Sequence, residues 1–125
     1  MGASGSTEEK SKEKERKPLT PEERKKIDQM FSDLLREMKK HGLPDVAALR
    51  KAYNFALKVH GDTRRKTGDP YITHPLSVAM ILAEIGHETD IIVSAILHDV
   101  VEDCNVSVEQ LEKEFGRNVA DMVNT

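Results

Sequence analysis

The run IIVSAILHDVVED ends in His98-Asp99 and Glu102-Asp103, so four groups able to bind a metal or carry a proton fall within six positions behind an apolar segment. Acids at a helix C-terminus face the negative end of the macrodipole and are mildly unfavourable there. Something must therefore account for Asp99, Glu102 and Asp103 together. Positions three and four apart share a helix face, which aligns His98 with Glu102, and Asp99 with Glu102 and Asp103. His98 and Asp99 diverge by roughly 100° and can share one ion only if it sits close over the helix flank. One imidazole and one carboxylate are too few for a stable divalent-ion site, so further ligands must come from elsewhere in the chain. The plain alternative is a histidine serving as a cap or core residue beside a solvated acidic patch.

Among the other histidines, His74 is the best candidate ligand, because it ends a polar loop beside Pro75, which fixes its backbone. His41 and His87 lie next to glycines at helix ends and read as partners of the helix dipole. His60, just before Gly61, reads as structural. The loop GDTRRKTGDPYIT has no helical period, carries two Gly and a Pro, and is long for a connection, which marks it as a candidate binding loop. By residue type alone, Arg64 to Lys66 read as loop solvation.

These residues need a frame. Thr20-Pro21-Glu22-Glu23 is a helix start with an N-cap, a proline at the first position and a glutamate that closes a capping box. Ile27, Met30, Phe31, Leu34, Leu35 and Met38 continue it as one apolar stripe that Gly42 ends. A second helix starts near Asp45 and runs to His60-Gly61. His74-Pro75 opens a third, which ends at Gly86. A fourth, capped by Thr89 or Asp90, is apolar on most faces and should be the central element. Ser107 opens a fifth, and a sixth begins at Asn118. No strand is expected, and Leu, Ile, Val, Ala and Met must build the core because Trp is absent and aromatics are few. The fold class is all-α, with a disordered charged arm over 1–19 and a helical domain over 20–125.

The net charge of −3 has both signs interspersed, which argues against a nucleic-acid or membrane partner. A single cysteine, Cys104, excludes an intrachain disulfide and fits a reducing compartment. No signal peptide or membrane span is legible, so a cytoplasmic location is expected.

From Ala52 to Ala120 the chain resembles the hydrolase domain of the RelA/SpoT homologue family, within the HD phosphohydrolase superfamily. The resemblance rests on FALKVHG, RRKTGDPYITHPLSVAMILAE, HDVVED and KEFGRNVADMV, in that order and spacing. It implies an HD-domain helical bundle that removes the 3′-pyrophosphate from guanosine tetra- and pentaphosphate with a bound Mn²⁺ ion. It implies His74, His98 and Asp99 as metal ligands, and Glu102 and Asp103 as the pair that positions and activates water. It also implies Arg65 stacking on guanine, with Lys66 and Thr67 lining the base pocket. Asp62 stands where the family often has Gln, and Cys104 replaces a common Thr.

The family's second metal-binding Asp and its ribose and phosphate contacts lie beyond Thr125. The domain is therefore expected to be incomplete at its C-terminal end and to expose apolar residues such as Met122 and Val123 for self-association. Two other functions stay open: an HD phosphatase acting on another nucleotide, and a non-catalytic module that binds nucleotide or metal in a regulatory role.

Overall fold

The computed structural model describes residues 15–104 and 106–124, apart from the side chains of Glu15, Asp103 and Cys104. Among the described residues, six helices carry the fold: α1 Pro21–Lys39, α2 Val46–His60, α3 Thr73–Ile85, α4 Thr89–Cys104, α5 Val108–Phe115 and α6 Arg117–Asn124. Two short strands, β1 Glu15–Arg16 and β2 Thr63–Arg64, pair antiparallel. That ladder is the one departure from the purely helical expectation, and it is too short to change the class.

Local chemistry sets the helix limits. At the start of α1, Thr20 Oγ1 accepts from the Glu23 N–H at 3.1 Å, and Glu23 Oε1 accepts from the Thr20 N–H at 3.0 Å. This is the reciprocal cap expected from the sequence. Asp45 caps α2 through the Ala48 N–H, and Ser107 caps α5 through the Gln110 N–H. The third helix begins at Thr73, so Pro75 falls inside its first turn, where a missing N–H costs nothing. Gly86 ends α3 with φ 104°, and its N–H reaches back to the carbonyls of Leu82 and Ala83. A Cβ there would come within 3.3 Å of His41 Nδ1, a second reason for glycine.

The apolar helix is central. Ile92, Val93, Ile96, Leu97 and Val100 of α4 are buried, and α2, α3 and α6 all pack against it. Buried alanines line two of those neighbours, Ala52 and Ala56 on α2 and Ala79 and Ala83 on α3, and small residues let helix backbones approach closely. The α1 helix packs on α3 and joins α2 through stacked Phe31 and Tyr53 rings, 4.2 Å between centroids. The Tyr53 hydroxyl donates to Asp28, which lowers the Asp28 carboxyl pKa; burial first, and then Asp28, raises that of the Tyr53 phenol.

Two expectations change here. The segment assigned to a disordered arm is ordered in its described part: Lys17 donates its N–H to the Asp62 carbonyl, and Arg16 pairs with the Asp62 carboxylate at 2.9 Å. Residues 1–14 lie outside the described residues. The C-terminal face is not bare either, because α6 folds back onto α4, burying Val119, Ala120 and Val123 and half-burying Met122. Among the described residues, the exposed large apolar side chains are instead Val78, Ile81 and Ile85 on α3, with Leu43 and Val108 elsewhere. No helix among the described residues is long and apolar enough to cross a membrane.

Candidate active site

The last two turns of α4 carry the candidate ligands. His98 Nδ1 lies 3.5 Å from Asp99 Oδ1, and one ligand atom from each of His98, Asp99 and Glu102 falls within 4.8 Å of the others. Consecutive residues thus converge over the helix flank, the demanding arrangement that sharing an ion requires. Asp103 follows on the same helix, but its side chain lies outside the described ones.

His74, in the first turn of α3, lines a cleft of about 310 Å³ together with His98 and Asp99, and is not one of the three residues whose ligand atoms cluster within 4.8 Å. Its remaining walls are Pro75, Val78, Leu82, Ile91, Ser94, Ala95 and Met122. The volume is at the small end for a ligand pocket. Two other recesses are as large or larger, one of about 360 Å³ between α2 and α5 and one of about 390 Å³ between α1 and α3. Neither brings an imidazole together with a carboxylate.

Tyr71 is the residue that the sequence did not single out. Its hydroxyl donates to Asp99 Oδ2 at 3.2 Å, and its ring sits 4.8 Å from that of His60 and 6.4 Å from that of His74. It therefore fixes one oxygen of Asp99 and leaves the other toward His98, the kind of outer-shell contact that orients a metal-binding carboxylate. His60 is buried under this ring, in agreement with its structural reading. The tyrosine stands in the PYITHP motif, but only the fold brings position 71 to position 99.

Arg65, Lys66 and Thr67 form the exposed tip of a turn closed by the Gly68 N–H to the Arg65 carbonyl at 2.8 Å and the Arg65 N–H to the Asp69 carbonyl at 2.9 Å. Gly68 has φ 93°, a conformation that glycine adopts without strain. Thr67 Oγ1 donates to Asp69 Oδ2 at 3.0 Å. These three residues do not line the cleft, but the loop that holds them leads directly through Tyr71 to His74. Arg64, its neighbour in the same basic run, is buried and paired with Glu23. His41 and His87 lie apart from this site, in a recess beside Gly86.

The donor set fits a divalent first-row ion: imidazole and carboxylate together suit Mn²⁺, Fe²⁺ or Zn²⁺, and a cation here would offset the cluster of acids at the negative end of α4.

Comparison with known proteins points the same way. The family model described as the HD domain matches residues 52–125. The chain is 47% identical over 75 residues to a guanosine-3′,5′-bis(diphosphate) 3′-pyrophosphohydrolase of Aquifex aeolicus, which covers 60% of this chain and 11% of that protein. It is 42% identical over 78 residues to the bifunctional (p)ppGpp synthase/hydrolase SpoT of Escherichia coli, covering 62% and 11%. It is 43% identical over 84 residues to a GTP pyrophosphokinase of Myxococcus xanthus, covering 67% and 11%. The chain thus spans about a ninth of the length of these curated relatives, which are named as a hydrolase, a bifunctional synthase/hydrolase and a GTP pyrophosphokinase.

Proposed function

The chain belongs to the HD domain family, and on that premise we propose that it is a metal-dependent 3′-pyrophosphohydrolase module for guanosine tetra- and pentaphosphate. The observation that carries the reading is the convergence of His74, His98 and Asp99 on one cleft, with Glu102 one turn beyond His98. The names of its relatives support the choice of substrate.

His74, His98 and Asp99 would hold the ion, Mn²⁺ by family resemblance, with Tyr71 keeping Asp99 in place. Such an ion supplies charge neutralisation on phosphoryl oxygens and an acidified bound water. The protein's own residues do the rest. Glu102, with Asp103 beside it, accepts a proton from the attacking water as its oxygen bonds to phosphorus. The bond from that phosphorus to the 3′ oxygen breaks, the 3′ oxygen takes up a proton, and guanosine 5′-phosphates and pyrophosphate are released. Arg65 suits stacking on the guanine face, since a planar guanidinium covers a ring as an ammonium does not. Lys66 and Thr67 complete the base contact. The apolar walls of the cleft limit the water that competes with the one being activated.

The test is to incubate the chain with Mn²⁺ and guanosine tetraphosphate, with GTP and deoxynucleotides in parallel, following both pyrophosphate release and binding. Asp99→Ala should abolish Mn²⁺ binding, while Glu102→Ala should keep it and lose turnover. Metal-dependent binding without release would favour a regulatory binding module. Release from other nucleotides alone would favour a different HD phosphatase. Equal Mn²⁺ affinity in wild type and Asp99→Ala would remove the ligand assignment.

A further inference from the structure

Arg64 and Arg65 are neighbours in the basic run, yet Arg64, at the end of β2, is buried while Arg65, in the turn that follows, is exposed. Arg65 is exposed, whereas the Arg64 side chain is only 5% exposed, and every one of its five N–H groups has an acceptor. Nη1 and Nη2 donate to Glu23 Oε2 at 2.6 Å and Oε1 at 2.7 Å, a bidentate fork. The other three donors reach main-chain carbonyls: Nε that of Lys17 at 3.2 Å, Nη2 that of Pro18 at 2.7 Å and Nη1 that of Gly68 at 3.1 Å. One guanidinium therefore ties together the incoming N-terminal segment, the first turn of α1, and both ends of the turn whose tip is Arg65, Lys66 and Thr67.

From this geometry we infer that Arg64 and Glu23 are positioning residues, whose bridge holds the 65–68 turn in its nucleotide-presenting form and makes affinity for a guanine nucleotide depend on residues 17–23. The inference rests on the nucleotide role proposed above for Arg65 to Thr67. It adds that a segment with no part in the metal site controls how well the nucleotide binds. Without the fork the turn would sample other arrangements, and affinity falls in proportion to the fraction still competent to bind. The metal cleft, anchored on α3 and α4, would keep its affinity.

Glu23→Gln and Arg64→Lys each break the fork while keeping side-chain size. The readouts are amide hydrogen exchange at Gly68, affinity for guanosine tetraphosphate in the presence of Mn²⁺, and affinity for Mn²⁺ alone. Amides of Ile96 and Leu97 serve as a control for the intact core. Exchange at Gly68 should rise about tenfold, nucleotide affinity should fall about tenfold, and Mn²⁺ affinity should stay within about twofold. Arg65→Ala should weaken nucleotide binding with no change in Gly68 exchange. Unchanged exchange in the folded variants overturns the inference, as does faster exchange with unaltered nucleotide affinity, or loss of core protection in both variants. If wild type binds no guanine nucleotide while Gly68 still exchanges faster in the variants, the proposed function falls and the fork stands only as a brace of the turn.

Discussion

Replacing Tyr71 by Phe removes one oxygen and keeps the ring between His60 and His74, so it isolates the contact to Asp99. That contact is an O–H donating to a carboxylate at 3.2 Å. Hydrogen bonds to charged groups contribute about 1.5–3 kcal/mol net, and the side chain of Asp99 is 24% exposed, which favours the lower end. At about 1.4 kcal/mol per factor of ten, the loss is roughly tenfold in metal affinity. The general effect of removing an outer-shell partner, about 10–100-fold, includes this value. Because the ring still packs, the metal-free protein should lose no more than this hydrogen bond, about 1.5 kcal/mol of stability. Calorimetric titration with Mn²⁺ of wild type, Tyr71→Phe, Asp99→Asn and the double variant measures the coupling. Affinity within twofold of wild type, or an equal loss on the Asp99→Asn background, would refute the claim that Tyr71 acts by orienting Asp99.

Leu97 is fully buried on the central helix, so Leu97→Ala should cost about 3 kcal/mol, roughly 15 °C in melting temperature. A denaturant-melt loss below about 1 kcal/mol would contradict the central position of α4. The Glu23 carboxyl is held at about 2 rather than 4.5, first by the Arg64 guanidinium and then by the Thr20 N–H. The unfolded chain therefore takes up this proton first as pH falls. The contribution of Glu23 is whole above about pH 4.5 and lost by about pH 2, so wild type should lose thermal stability across that interval more steeply than Glu23→Gln. Parallel curves for the two proteins would show that the fork contributes nothing to acid stability.

The helices were legible because their signals are local. Thr20 with Glu23, Asp45, Ser107 and Gly86 mark ends through hydrogen bonds that span three or four residues, and the apolar run of α4 announces a helix buried on several sides. The pairing of His98 with Asp99 and Glu102 was legible for the same reason, since one helix carries all three. Residue type alone could not separate Arg64 from Arg65, because only the packing of β2 against residues 17–23 decides which one is buried. The packing of α6 over α4 was likewise invisible, because an amphipathic stripe says that a face is covered without saying by what.

By itself, then, the sequence determined the helix boundaries, the central helix and the grouping of candidate ligands on its last two turns, all of which depend on contacts within about one or two turns of chain. Tertiary structure alone decided that His74 lines one cleft with His98 and Asp99, that the Tyr71 hydroxyl reaches Asp99, and that Arg64 turns inward to Glu23. Each of these joins residues some two dozen to forty positions apart, and such distances in sequence become contacts only when the helices pack.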